Sequence, residues 1–233
     1  MKKLSIFFIL FCIYVIVGQE KVRVISAAIE AKTLKGKEYI TANGTVLYDV
    51  NSGKLITHFF KPLEQLSITN YNGEFVQYYK GNNTVSQKMN PEFSSKKSIF
   101  YLFLNGKSTD MDLKNSGYVL RKSKNEEGMI ITTWQPGKNS NTQSSRIELV
   151  HEKSLPIYMG IYDKKGKIGL KVYYSNYVSV SGVMIPQSIT EIEFESPKDS
   201  IITTREYKDF KVNKNADITY LNYKVPTNAK PVK

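Results

Sequence analysis

Residues 44–80 read GTVLYDVNSGKLITHFFKPLEQLSITNYNGEFVQYYK, and this stretch decides the fold. β-Branched and aromatic residues fill four runs, at 44–50, 54–61, 66–71 and 74–80, whereas Asn, Gly, Ser and Pro occupy the joints. A pleated, half-buried surface favours the first group, and turns favour the second. The pair Asn72-Gly73 predicts a type I′ turn, in which both central residues need positive φ. The stretch is therefore predicted to be a β-meander.

The same alternation of runs and joints continues on both sides of this meander. Residues 22–32 could form a strand or a short helix, and the β-branched residues at their start favour a strand. The other runs lie at residues 38–42, 84–89, 118–121, 129–134, 145–150, 156–162, 167–175, 185–195 and 200–212. Joints recur every 8 to 15 residues, roughly, without long helical periods, which predicts one large antiparallel sheet. The protein is thus predicted to be mainly β, with a single domain over residues 19–233.

One apolar face of such a sheet has to be covered, and the candidate helices are few and short. Either the sheet curls on itself or its cover is partial, and a curled sheet under a short lid would enclose an apolar cavity. Residues Ile99–Leu104 are six consecutive apolar residues, so they form a strand buried on both faces or a short helix inserted into that cavity. The second interpretation makes them a lid. The predicted ligand-binding residues of lid and sheet are Leu47, Phe59, Ile68, Phe100 and Phe103.

The first 18 residues have the pattern of a cleavable export signal. Lys2 and Lys3 precede an uninterrupted apolar run at residues 6–17, which is short for a bilayer-spanning helix of about 20 residues. We expect cleavage after Gly18 and a periplasmic protein. The alternative is that the segment is retained as a membrane anchor.

Composition excludes several function classes. Cys12 is the single cysteine and lies in the signal, so the mature chain can have neither a disulfide nor a thiolate nucleophile. The net charge of +12 favours attraction to acidic lipid or polysaccharide, and nucleic acid is a poor candidate partner for an exported chain. We expect a monomer.

Catalytic and metal-binding patterns are weak. The two histidines, His58 and His151, are far apart in the chain and form no metal-ligand spacing. Glu191, Glu193 and Glu195 would share one face of a strand, and a glycosidase could use close carboxylates. On a basic protein they are better explained as a solvated face paired with Lys and Arg of neighbouring strands. We therefore expect no enzyme activity, metal or cofactor.

A series of short segments made of strand and turn residues lies at residues 44–48, 54–62, 66–79, 155–157, 162–166, 185–189 and 223–230. The order of these segments resembles the periplasmic outer-membrane lipoprotein carriers LolA and LolB. The resemblance implies an unclosed antiparallel half-barrel with helices as a lid, which holds acyl chains in its apolar concave interior. It implies as partners lipidated proteins or lipid acyl chains, and the lipoprotein-sorting components of the inner and outer membranes.

Two departures separate the chain from the usual pattern of that family. The family opens with an amphipathic helix, whereas residues 22–32 are predicted as a strand. It also carries an arginine associated with lid opening in the hairpin before the strand at residue 54, and residues 51–54 contain none. The fold can therefore be shared while the hand-over mechanism differs. The leading hypothesis is an exported carrier of lipoproteins or lipids, and the alternative is an exported structural or surface-associated β domain without a cavity.

Overall fold

A computed structural model describes residues 20–138, 144–196 and 199–232. The expected export signal at residues 1–18 lies outside these residues. Within the described residues, fourteen strands form one sheet in the order β14-β6-β5-β4-β3-β2-β1-β13-β12-β11-β10-β9-β8-β7. Its edge strands β14 and β7 are not paired with each other, so the sheet is unclosed. The structure confirms the prediction of a mainly β protein with a single large sheet.

The strands follow the chain as two meanders. The first half contains β1 (Val24–Lys35), β2 (Glu38–Asp49), β3 (Lys54–Lys61), β4 (Gln65–Thr69), β5 (Glu74–Tyr79) and β6 (Thr84–Met89). The second half contains β7 (Tyr118–Glu126), β8 (Met129–Pro136), β9 (Ser144–Glu152), β10 (Leu155–Asp163), β11 (Ile168–Val180), β12 (Val183–Ser196) and β13 (Asp199–Val212). Neighbours within each meander are antiparallel, whereas the two-residue β14 (Lys230–Pro231) runs parallel to β6.

The helical elements are short. Helix α1 spans Ile99–Leu104, and single 3-10 turns lie at Pro91–Phe93, Ser95–Lys97 and Asn213–Asn215. None of the helices in the described part of the chain is long and apolar enough to cross a membrane.

Strand β2 is longer than predicted. The runs at 38–42 and 44–50 form one strand, because Gly44 continues the strand instead of ending it. A Cβ at Gly44 would lie 2.2 Å from the His58 carbonyl oxygen on β3. The glycine therefore allows a close backbone approach at an irregular position, where the β2–β3 register shifts between Asn43 and Gly44. The predicted strand at residues 22–32 is confirmed as the main part of β1.

The β4–β5 hairpin is present, but its turn is not the predicted type I′ turn. Gly73 has φ +82°, whereas Asn72 is not among the described non-glycine residues with positive φ. The loop instead spans residues 70–73, and the Gly73 N–H donates to the Asn70 carbonyl at 3.2 Å. The Asn70 side-chain oxygen accepts from the N–H groups of Asn72 and Glu74, at 2.9 and 3.2 Å. The Asn70 side chain thus stabilises the β4–β5 loop with hydrogen bonds that the predicted turn type does not include.

The connection between the two meanders crosses the open side of the sheet. Strand β6 lies next to one edge and β7 forms the other edge, so residues 90–117 between them have to span the gap. This lid segment (residues 90–117) contains α1. Its buried residues join those of both meanders in one core cluster, which includes Tyr48 of β2 and Ile147 of β9. The sheet is therefore curved around the lid segment.

The outer face of the first meander has its own cover. Leu47, Ile56, Leu66 and Tyr78 are buried there, and the cover comes from the C-terminal segment with Tyr220, Leu221, Tyr223, Val225 and Ala229. The rings of Tyr78 and Tyr223 lie 6.2 Å apart. The first meander is therefore packed on both of its faces.

Replacing Gly73 with alanine should destabilise the protein by about 1–3 kcal/mol, because a residue other than glycine is strained at positive φ. The new Cβ would also lie 2.2 Å from the Asn90 carbonyl oxygen, where the lid segment begins. Urea unfolding of Gly73→Ala measures the loss. Gly81→Ala is the matched control, since nothing lies within 4 Å of the position that its Cβ would take and its φ is not positive. Equal midpoints for the two variants would contradict the prediction.

Candidate functional site

Helix α1 forms because a cap and a burial site are both present. The Ser98 hydroxyl accepts from the Tyr101 N–H at 3.2 Å, which satisfies one of the free donors of the first turn. Ile99, Phe100, Leu102 and Phe103 are buried. Of the two interpretations of this apolar run, the inserted short helix is confirmed.

The lid segment is fastened to the first meander by hydroxyl groups before α1. The Ser95 hydroxyl donates to the Gly53 carbonyl at 2.6 Å, and the Ser94 hydroxyl donates to the Tyr71 carbonyl at 2.7 Å. The rings of Phe75 and Phe93 stack with centroids 4.7 Å apart. The start of the lid segment is thus held in place by direct contacts with the loops and strands of that meander.

After α1 the lid segment is fastened to the second meander. His151 on β9 is buried, and its Nε2 donates to the Ser108 carbonyl at 3.4 Å. Burial lowers the pKa of His151, and the hydrogen bond to Ser108 opposes this effect. The neutral imidazole is therefore the form that the folded protein favours.

The inner face of the sheet and the lid segment border a partly open cavity of about 1260 Å³. Its apolar wall includes Ile29, Leu55, Phe59, Ile147, Met159, Ile161, Leu170, Val172 and Ile189 on the strands, and Ile99, Phe100, Leu102, Met111 and Leu113 on the lid segment. Pockets for small molecules commonly measure ~300–1,000 Å³, so this cavity is large enough for a bulky apolar ligand. The lining also includes Ser67 on β4 and Tyr118 on the edge strand β7, so one cavity is bordered by strands from both meanders, which shows how strongly the sheet is curved.

The predicted ligand-binding residues lie in three different surroundings. Phe59 and Phe100 line the cavity. Phe103 is buried next to it, with its ring 6.0 Å from that of Tyr177. Leu47 and Ile68 lie on the outer face, under the C-terminal segment.

The strand register explains why Leu47 and Ile68 are separated from Phe59. Leu47 on β2 and Ile68 on β4 both pair with Ile56 on β3, so the three side chains share one face of the sheet. Phe59 is three residues further along β3 and therefore points to the opposite face. The alternation Leu55, Thr57, Phe59 against Ile56, His58 contained this signal, but the sequence did not show which face would meet the lid segment.

The sequence prediction missed the wall that the second meander provides. The residues concerned are Met159, Ile161, Leu170, Val172, Tyr174, Ile189, Glu191, Arg205 and Tyr207. Their signal was the period of two in β11, where Leu170, Val172 and Tyr174 alternate with Lys171 and Tyr173. No local pattern indicated that these strands face the lid segment.

Charged residues line the cavity from two sides. Glu191 and Arg205 lie on strands of the sheet, and the lid segment contributes Glu92, Lys96, Lys97 and Asp112. Arg205 Nη1 and Glu191 Oε2 are 2.8 Å apart. Burial lowers the pKa of Arg205, but the adjacent Glu191 carboxylate more than offsets this, so the pKa is raised overall. Burial also raises the pKa of Tyr174, and raises that of Tyr207 to about 12. These side chains are therefore a charged pair beside two neutral hydroxyls.

The remaining candidates for chemistry have structural partners. Glu195 pairs with Lys35 at 2.9 Å, so two of the three predicted acidic residues on β12 bind basic partners, although Glu191 does so inside the cavity wall. His58 Nε2 is 3.3 Å from a Glu64 carboxylate oxygen. Across residues 20–138, 144–196 and 199–232, no group of three or more His, Cys, Asp or Glu side chains is placed to bind a metal ion.

Residues 19–183 match the family model described as sporulation protein YdcC-like. The chain belongs to this family. A sequence comparison with curated proteins finds no match.

Solved structures with the same fold come from several bacteria. A DUF1329 family protein from Desulfovibrio piger is 16% identical, with a TM-score of 0.61 over 87% of this chain and 90% of that one. A domain from Vibrio parahaemolyticus, described as an outer membrane lipoprotein-sorting protein, is 13% identical, with a TM-score of 0.59 over 85% and 89%. A LolA superfamily protein from Nitrosomonas europaea is 11% identical, with a TM-score of 0.55 over 84% and 90%. The fold of the YdcC-like chain is thus LolA-like.

Truncating Phe100 should destabilise the protein far more than truncating Phe59. Phe100 is 2% exposed, and its ring centroid lies 5.6 Å from that of Tyr207 and 6.2 Å from that of Tyr48. Phe100→Ala should therefore cost about 3–5 kcal/mol, as in a close-packed core. Phe59→Ala is the matched control and should cost less, because its side chain is partly exposed and borders the cavity. Chemical denaturation compares the two, and a loss for Phe100→Ala no larger than that for Phe59→Ala would contradict the prediction.

Protonation of His151 should destabilise the fold. Its pKa is lowered in the folded protein, so the unfolded chain binds the proton more tightly. The contribution of the neutral ring is fully present above about pH 6.5 and is lost as the pH falls below that value. His151→Gln should reduce this pH dependence, and His58→Gln controls for the loss of an imidazole elsewhere. Unfolding free energies measured from pH 8 to pH 5 test this, and an unchanged slope in the His151 variant would contradict it.

Proposed function

We propose that this protein is an exported carrier that binds lipid acyl chains, or the acyl chains of lipidated proteins, without covalent chemistry. The observation that carries the proposal is the cavity of about 1260 Å³ between the curved sheet and the lid segment. Its wall consists mainly of aliphatic and aromatic side chains, which favour an apolar ligand.

The covering of the cavity supports a carrier. Residues 99–104 are apolar on all sides and form part of the wall through Ile99, Phe100 and Leu102. Hydrogen bonds join the lid segment to the sheet before and after α1, at Ser95 and at Ser108, whereas α1 itself is held by apolar packing. Displacement of α1 would therefore cost these apolar contacts, but it would widen the mouth of the cavity without breaking any strand pairing.

The biological setting is part of the same proposal. The export signal expected at residues 1–18 would deliver the protein to the periplasm, and lipoprotein-sorting components of the membranes would be its partners. The Vibrio parahaemolyticus domain with the same fold is described as a lipoprotein-sorting protein, which supports lipidated proteins as cargo.

Mass spectrometry of organic extracts from the natively purified protein tests the proposal directly. A carrier should release lipid or a lipidated peptide in near-stoichiometric amount. A fluorescent fatty-acyl probe should also bind to the delipidated protein. If there is no lipid in the extract and no probe binding, the alternative of a structural β domain is correct.

A cavity-filling substitution locates the binding site. Leu170→Trp should weaken probe binding by about tenfold or more, because the larger ring occupies space that the acyl chain needs. Leu170 lines the cavity on β11. Tyr173→Trp is the matched control, since this residue lies on the opposite face of the same strand and is 40% exposed. Equal affinities of the two variants would show that the probe binds elsewhere.

A further inference from the structure

Four side chains with polar groups lie together on one part of the cavity wall. Tyr174 of β11, Glu191 of β12, and Arg205 and Tyr207 of β13 all line the cavity. Ile189 pairs with both Tyr174 and Arg205, which places these residues on adjacent strands and on the same face. We call these four residues the polar patch. An amphiphile that enters the cavity has to place its polar head where such groups can meet it.

Arg205 has more donors than the protein uses. A guanidinium carries five N–H donors, and among the described residues its partner is the Glu191 carboxylate at 2.8 Å. The side chains of Arg205 and Glu191 are 34% and 36% exposed, so the other N–H groups are accessible from the cavity. The structure therefore leaves donors in the cavity wall for an acceptor on a ligand.

The two tyrosine hydroxyls increase this excess of donors. Tyr174 and Tyr207 line the cavity, and within residues 20–138, 144–196 and 199–232 neither hydroxyl has a hydrogen-bond partner in the protein. Both phenols are protonated at neutral pH, since the ordinary pKa of tyrosine is about 10 and burial raises it further in each. The patch thus presents two O–H donors and the unused N–H groups of Arg205, against a single acceptor side chain.

The charge of the patch decides between classes of ligand head. Glu191 neutralises the charge of Arg205, so the patch has no net charge to offset the cost of removing an anionic head from water. An ester or amide carbonyl supplies acceptor oxygens without adding charge. We propose that the polar patch binds the carbonyl oxygens of an ester- or amide-linked acyl group, and that Glu191 excludes free fatty-acid anions. This inference rests on the proposed function.

The test compares three ligands that share one acyl chain length. Methyl palmitate carries an ester, palmitate carries a carboxylate, and hexadecane has no polar head. Each displaces a fluorescent hydrocarbon probe from the delipidated protein at pH 8.5. The parent protein should bind methyl palmitate about five- to tenfold more tightly than hexadecane, as expected for one or two hydrogen bonds, and more tightly than palmitate.

Substitutions in the patch should change this preference in opposite ways. Glu191→Gln leaves the charge of Arg205 unbalanced, so the ratio of palmitate to methyl palmitate affinity should rise about tenfold or more. Arg205→Gln should reduce the preference for methyl palmitate over hexadecane, because a Gln amide offers two N–H donors in place of five while both tyrosine hydroxyls remain. Glu195→Gln is the matched control, because Glu195 lies on the same strand but pairs with Lys35 outside the cavity. The double change Glu191→Gln with Arg205→Gln keeps the patch neutral. The same affinities are measured on this double variant if either single variant does not fold.

The outcomes separate this inference from the function on which it rests. If the hydrocarbon probe binds but the selectivity of Glu191→Gln equals that of the parent protein, the polar patch does not select the head and the carrier function stands. If the parent protein binds no probe at all, both proposals fail. Diacylglycerol and a diacylated cysteine lipopeptide, compared in the same assay, distinguish a glycerolipid from a lipoprotein as the source of the ester.

Discussion

The pairing of β1 with β13 is the constraint on which the rest of the structure depends. It joins the first strand of one meander to the last strand of the other, with Ile29 opposite Tyr207, whereas nearly all other pairings connect neighbours in the chain. Once these strands are paired, β6 and β7 must lie near opposite edges, and the connection between them must cross the open side. The lid segment, the cavity under it and the curvature of the sheet all follow from this arrangement.

The sequence predicted the local part of this architecture and missed the part that depends on distant pairing. Runs of β-branched and aromatic residues predicted where the strands lie, because such residues favour a pleated, half-buried surface. The six apolar residues of α1 were correctly interpreted as a possible inserted helix. The sequence could not predict which face of the sheet each side chain would occupy, because Leu47, Ile68 and Phe59 are equally apolar. The C-terminal segment and the lid segment cover opposite faces of the first meander, so both faces accept apolar residues. The Asn70 side chain, and not the Asn72-Gly73 pair alone, defines the β4–β5 loop.

The charged pair in the cavity shows why the candidate site was harder to predict than the fold. Along β12, Glu191 is part of a polar alternation that is typical of a strand with one face in water. Arg205 on β13 also has the sequence pattern of a residue that faces water. Both nevertheless point inward, since a curved sheet can enclose a cavity that holds polar groups as well as apolar ones. Each charge is partly removed from water, and the other charge offsets that cost, so the pair is tolerated without any local sequence signal.

The way the lid segment is attached also limits the size of any ligand that could enter the cavity. Its ends continue directly into β6 and β7, near the two edges, so it acts as a strap of fixed contour length across the mouth of the sheet. The walls can move apart only as far as this strap reaches. Helix α1 holds a reserve of length, because six residues rise about 1.5 Å each in a helix and about 3.3 Å each when extended, a difference of roughly 10 Å in all. Unwinding of α1 would let the mouth widen by a distance of that order, while every strand of the sheet kept its partner.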